Sequence, residues 1–135
     1  MIVGIGVDMV DSRRIAKSIE RFGDRFLSRI FTDAEQAQAA GRADQTLYFA
    51  KRFAAKEAIY KALSASGVEG LGWRDADIAN SGRGAPVVTL TGACKTALEQ
   101  LTPDGYNPEI SISLSDEPPH ALAFVVLSVI GPKDQ

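Results

Sequence analysis

Along the chain the apolar positions change period several times, and each change marks an element. The run IVGIGVDMV at residues 2–10 is short, apolar and β-branched, and Asp11-Ser12 closes it, which predicts a buried strand followed by a helix N-cap. A first helix is predicted from Ser12 to about Arg21, and Gly23 breaks the pattern in RFGDRFLSRIF. Thr32 with Glu35 three residues on reads as a capping box opening a helix over DAEQAQAA, which Gly41 ends. From about Asp44 to Ala65 there is no Gly or Pro and much Ala, Leu and Lys, the pattern of the longest helix.

The second half alternates turns with short strands. SGVEGLGW is a glycine-punctuated loop, DADIAN a strand, SGRGAP a turn and VVTLTG a second strand, together a hairpin. A short helix over Gly92–Leu101 and the turn-rich TPDGYNP lead to the two clearest strands. EISISLS alternates strictly, HALAFVVLSVI is an apolar run, and DEPP links them. This order predicts one α+β domain over residues 1–135, a mainly antiparallel sheet packed on one long helix with shorter helices around it.

The long helix breaks the amphipathic rule. On a wheel of about 100° per residue, Phe49, Phe53 and Tyr60 make one apolar sector and Ala50, Ala54 and Ala58 another. Glu57 and Lys61 fall between them. Lys51, Arg52 and Lys56 leave at other angles, so the helix is wedged among neighbours on several sides. As a bare i, i+4 pair, Glu57 and Lys61 would contribute about 0.2–0.5 kcal/mol, which suits an exposed face. Inside an apolar sector each charge costs several kcal/mol unless further partners arrive. A divalent cation on Glu57 and a phosphate on Lys61 would be such partners.

Asp8, at the end of an otherwise apolar strand, admits two readings. One is a carboxylate that caps the next helix or faces water; the other is a carboxylate held rigidly at a buried strand end and neutralised by a metal or a basic partner. In the second reading Asp8 and Glu57 form a two-carboxylate oxygen site of the kind Mg²⁺ uses with substrate phosphates. Spacing alone does not bring the two together.

Composition narrows the chemistry. With 45% hydrophobic and 24% charged residues the chain is an ordinary soluble globular protein, and a net charge of −2 argues against a protein built to grip nucleic acid. The single Cys94 excludes an internal disulfide and a cysteine zinc site, and the lone His120 a multi-histidine one. The start MIVGIGVD lacks the basic and long apolar regions of a signal peptide and no run reaches the length of a membrane span, so the expected location is cytoplasmic.

Two separated motifs, GIGVDMVDSRRI and AKRFAAKEAIYKAL, closely resemble the signatures of the holo-acyl-carrier-protein synthase family, the small bacterial 4′-phosphopantetheinyl transferases. The resemblance continues through LGWRDADI, the GAP turn and SISLSDE…ALAFVV, essentially the whole chain. It implies transfer of 4′-phosphopantetheine from coenzyme A to a serine of apo-acyl carrier protein, with release of adenosine 3′,5′-bisphosphate, in fatty acid or another lipid metabolism. It implies dependence on Mg²⁺ and a homotrimer with sites at subunit interfaces, without nucleic acid or membrane as partner. Carried over by motif, Asp8 and Glu57 are the expected metal ligands and Lys61 the cation on the pyrophosphate, the three forming the catalytic set. The acceptor of the serine proton stays open between a metal-bound water or hydroxide and a carboxylate such as Glu57.

The resemblance gives roles to further charges. Arg13, Arg14, Lys17 and Arg21, followed by Arg25 and Arg29, otherwise read as a solvated helix face; in the family this region, the arginine matching Arg14 above all, docks the acidic carrier protein. Arg52, Arg83, Gly84 and Pro86 are expected at coenzyme A beside Lys61. SGRGAP is first a hairpin turn in which Gly82 and Gly84 allow positive φ.

Three positions depart from the family pattern. Ser111 stands where many members carry a nucleotide-binding histidine, so Lys61, Arg52 or a neighbouring subunit would have to compensate. Ser64 and Ala65 alter the usual glycine-flexible helix exit, and Asp116, with Glu117, reads as a solvated turn where some members have histidine. His120 is read as structural or exposed, Cys94 as a small core residue, and Trp73 as packing over the end of the long helix. A transfer-inactive member that only binds coenzyme A or carrier protein is the alternative, and retention of Asp8, Glu57 and Lys61 together speaks against it. A Mg²⁺-dependent nucleotide pyrophosphohydrolase finds no P-loop or acidic hydrolase motif to support it.

Overall fold

Strand β1 (Ile2–Asp11) lies antiparallel to the last strand, β5 (His120–Ile130), which pairs on its other edge with β4 (Asn107–Glu117). The resulting three-stranded sheet has the order β1-β5-β4, and a separate two-stranded sheet is formed by β2 (Ala76–Asn80) and β3 (Pro86–Leu90). The computed structural model describes residues 1–132, so residues 133–135 of the predicted domain lie outside the described residues. Between β1 and the hairpin come α1 (Ser12–Phe22), α2 (Asp24–Ile30), α3 (Asp33–Ala39) and α4 (Gln45–Leu63); α5 (Gly92–Leu101) precedes β4. The predicted α+β class and antiparallel pairing hold, with the pairing divided between two sheets.

The caps act where the sequence places them. Asp11 accepts the amide of Arg13 at the start of α1, and Thr32 and Glu35 form the reciprocal capping box of α3. Helix α4 begins one residue later than predicted, under the Asp44 cap, and yields at Ser64–Ser66 to a 3₁₀ turn that Gly67 closes at φ +72. In the SGRGAP turn only Gly84 takes the left-handed conformation, at φ +84; Gly82 does not.

Helix α4 packs on one face of the three-stranded sheet. Ala54, Ala58, Ile59, Ala62 and Leu63 meet Ala121, Ala123, Val125 and Leu127 in the core. The other face of that sheet differs from the prediction of a buried first strand. Ile5, Val7 and Met9 are 59%, 50% and 61% exposed, and Leu122 and Phe124 of β5 join them. An apolar run announces burial on two sides, but the chain's own elements cover only one. No helix among the described residues is long and apolar enough to cross a membrane.

Candidate active site

The inner face of β1 reads Gly4, Gly6, Asp8, Val10, and the two glycines decide how close α4 can come. A Cβ built on Gly4 would lie 2.1 Å from Ala62 O, and one on Gly6 only 1.8 Å from Ala58 O. Any larger residue pushes the helix off the strand. The strand and helix backbones therefore lie almost in contact, and Asp8, two residues beyond Gly6, stands beside the flank of α4. Sequence reasoning overlooked both glycines, although their i, i+2 spacing before Asp8 on one strand face was the available signal.

At that flank Lys61 Nζ donates to Val7 O at 2.9 Å and to Asp8 Oδ1 at 3.1 Å. Glu57 lies one turn earlier on α4 and is half-buried. Burial raises the pKa of its carboxyl, and the nearby Asp8 charge raises it further against the opposing pull of Lys61 and Arg14. The three predicted site residues thus come together. Their setting corrects one expectation: Lys61 is not inside an apolar sector, its side chain being 52% exposed at the rim.

The two carboxylates fit a divalent cation by their chemistry. They share a partly dehydrated setting that penalises two negative charges; among the described residues no group of three or more His, Cys, Asp or Glu side chains forms, here or elsewhere, so the protein offers two carboxylates rather than a full cage. Asp8 and Glu57 are the oxygen donors that could hold the cation, with positions left for ligand oxygens.

The charges of α4 that are deeply buried are Arg52 and Lys56, which the helical wheel shows only as leaving at other angles and of which the resemblance gives a role to Arg52 alone. Lys56 is 0% exposed; its ammonium meets Glu35 at 2.9 Å, Trp73 O at 2.9 Å and Ala76 O at 2.5 Å. Arg52 is 2% exposed, donates to Asn80 Oδ1 at 3.0 Å and stacks 4.5 Å over the Tyr48 ring. Its Nε is buried without a hydrogen-bond partner among the described residues.

Arg52 opens on a hollow of about 300 Å³ lined by Tyr48, Lys51, Asn80, Gly84, Pro86 and the middle of β4. Three residues expected at coenzyme A, Arg52, Gly84 and Pro86, thus share one pocket, while Arg83 is exposed on the turn outside its lining and Lys61 is elsewhere. From Arg52 to Glu57 the helix turns through about 140°, so pocket and carboxylates face different sides of α4. They also lie toward opposite edges of the sheet, β4 and β1, about 10 Å apart. Asp116, read as a solvated turn, instead pairs with Lys51 of the pocket at 3.0 Å. Ser111 is exposed on β4, opposite Val126 and two residues before the pocket-lining Ser113.

Helix α1 presents its basic residues outward around a buried Ile15. Arg13 is engaged by Asp11, with Nη2 2.6 Å from the carboxylate, whereas Arg14, Lys17 and Arg21 form no ion pair among the described residues. Arg21 lies 5.1 Å over the Phe22 ring, and Phe22, Arg25, Phe26 and Arg29 border a hollow of about 200 Å³. The remaining expectations resolve simply. Trp73 stacks on Phe53 and meets Tyr60 edge-on along the side of α4, His120 is exposed, and Cys94 is fully buried, its thiol pKa pushed up to about 12 by burial.

Residues 4–123 match the family model described as the 4′-phosphopantetheinyl transferase superfamily. The chain belongs to that superfamily. This transferase is 50% identical over 130 residues to the holo-[acyl-carrier-protein] synthase of Xanthobacter autotrophicus, a match covering 96% of each chain. Among solved structures it superposes on the Neisseria meningitidis holo-[acyl-carrier-protein] synthase with a TM-score of 0.77 at 36% identity, covering 95% of this chain and 99% of that one. The Helicobacter pylori enzyme solved in complex with coenzyme A gives a TM-score of 0.72 at 30% identity, over 92% and 99% of the two chains.

Proposed function

We propose that this chain transfers 4′-phosphopantetheine from coenzyme A to a serine of apo-acyl carrier protein. The observation that carries this reading is the meeting of Asp8, Glu57 and Lys61 at one half-open flank, in a member of the transferase superfamily. The serine Oγ bonds to the β-phosphorus of coenzyme A as the bond from that phosphorus to the bridging oxygen breaks. Adenosine 3′,5′-bisphosphate leaves, and the serine proton passes to a base.

Asp8 and Glu57 would hold Mg²⁺, which supplies charge neutralisation and alignment at the diphosphate. Lys61 exchanges its hold on Asp8 for the diphosphate and balances the charge that gathers on the leaving group. Glu57, half-buried at the same flank as Asp8, is a protein carboxylate able to accept the serine proton. The adenosine bisphosphate end belongs in the Arg52 pocket, where Nε of Arg52 has no hydrogen-bond partner among the described residues and Lys51, paired with Asp116, adds a second cation. The carrier protein docks on α1 through Arg14, Lys17 and Arg21, with Arg13 beside them.

Because carboxylates and pocket lie on opposite flanks of α4, the complete site forms between subunits. Strand β1 of one copy is set beside β4 of another, and the exposed apolar face of Ile5, Val7, Met9, Leu122 and Phe124 becomes the contact of a homotrimer. The enzyme works in the cytoplasm, in fatty acid biosynthesis. Incubation with apo-acyl carrier protein, coenzyme A and Mg²⁺ should add one phosphopantetheine to the carrier by mass spectrometry. Failure with several carrier proteins sinks the reading.

A further inference from the structure

The face of α4 turned to the β2–β3 hairpin carries an ion pair that transfer chemistry does not use. Lys56 Nζ donates to Ala76 O, and Glu35 Oε2 accepts the amide of Ile78 at 2.9 Å. In an extended strand the carbonyl of one residue and the amide two residues on lie along the same edge. The opposite edge of β2 is taken by β3, with Ile78 opposite Val88. Glu35 and Lys56 therefore occupy the place of a missing neighbouring strand, one supplying the acceptor and the other the donor. Glu35 also accepts the Thr32 amide at 2.8 Å, so the pair ties α3, α4 and β2 together in one fully bonded knot.

A second contact repeats the first one step along. Four residues back on α4 stands Arg52, an axial displacement of about 6 Å. Four residues on from Ala76, at the end of β2, stands Asn80. Arg52 Nη2 meets Asn80 Oδ1 at 3.0 Å. Both contacts join the same strand to the same helix, and the second opens on the pocket.

We propose that Lys56 and Glu35 are a positioning pair for coenzyme A recognition: by docking the edge of β2 on α4 they fix Asn80, and through Asn80 the guanidinium of Arg52, at the pocket. The proposal rests on the assignment of that pocket to the nucleotide of coenzyme A. Neither residue touches the substrate; each acts through the hairpin.

Steady-state kinetics of the full-length enzyme test it, with coenzyme A and carrier protein varied separately. Glu35→Gln keeps the side-chain shape but removes the charge that holds Lys56, and Asn80→Ala removes the far end of the relay from a half-buried position. Each should raise the KM for coenzyme A about tenfold, the scale of one hydrogen bond to a charged group. The KM for carrier protein, which docks on α1, should stay within about two-fold, and the double variant should be no worse than the poorer single one. A merely structural role would lower the melting temperature and leave the KM for coenzyme A of the folded enzyme unchanged, which overturns the proposal. Multiplying effects in the double variant overturn it as well. Should Glu35→Gln not fold, Asn80→Ala decides alone, and an unchanged KM for coenzyme A refutes the relay. Arg52→Ala separates the two layers. If it leaves that KM untouched, the pocket assignment fails; if it raises the KM while Asn80→Ala does not, only the positioning inference fails.

Discussion

Helix α4 carries two clusters of charge that the chain treats in opposite ways. On the hairpin side, Lys56 has three acceptors and Glu35 three donors, all within hydrogen-bond distance and almost wholly out of water. A buried ion pair survives its desolvation only when geometry and extra hydrogen bonds offset it, and here they do. On the β1 side, Asp8 and Glu57 are drawn together in a setting that disfavours a second negative charge, and one exposed ammonium, on Lys61, is hydrogen-bonded to Asp8 alone of the two. The closed cluster holds the hairpin against α4 with its own partners already in place. The open one is left in a state that a ligand improves, which is the mark of a site.

The most severe way to break that contrast is to neutralise one charge in each cluster. Glu57→Gln should cut phosphopantetheine transfer by on the order of a thousandfold or more, the scale of losing a group that acts in the transition state. It should not lower the melting temperature, because Glu57 sits in the fold with its proton affinity raised and so weakens the fold at neutral pH when ionised. Lys56→Met should do the reverse in thermal melts, removing about 3–5 kcal/mol by leaving the buried Glu35 charge without its counter-ion and two carbonyls without a donor. A Glu57→Gln enzyme with near-normal turnover, or a Lys56→Met chain as stable as its parent, would erase the distinction.

A smaller effect asks what completes the open cluster. Arg52→Ala and Glu57→Gln enzymes, each weak alone, should regain transfer when unfolded and refolded together, because some interfaces then pair an intact pocket with intact carboxylates. A refolded mixture no more active than the separate variants would place the whole site in one chain and make the opposite flanks of α4 irrelevant.

Elements were legible from period, caps and breakers, and Asp11, Thr32 with Glu35, and Gly84 act as their residue types dictate. Asp8, Glu57 and Lys61 were singled out by motif resemblance; pattern alone could not join them, since their meeting depends on Gly4 and Gly6 letting α4 touch β1. The burial of Lys56 was hidden because its partners stand 17 to 21 residues away in sequence, on the 73–76 segment and on α3. A wheel of one helix shows where a lysine leaves, not whether carbonyls wait for it. The exposed face of β1 was hidden for the converse reason, as an apolar run carries no sign of which chain will cover it.

The smallest effect concerns a pair of neither kind, satisfied yet on the surface. Asp11 caps α1 and holds Arg13, and the Arg13 guanidinium lowers the Asp11 pKa from its ordinary 3.8 to about 2. A carboxyl lowered on folding contributes stability that is fully present above the unfolded value and is lost as pH falls through the folded one. Asp11→Asn keeps a capping oxygen but not the charge, so the stability gap between parent and variant should be small at pH 7, close between about pH 4 and 2, and shrink in high salt. A gap that is large, or independent of pH, would mean that this exposed pair behaves like Lys56 and Glu35, and that burial is not what separates the two clusters of α4.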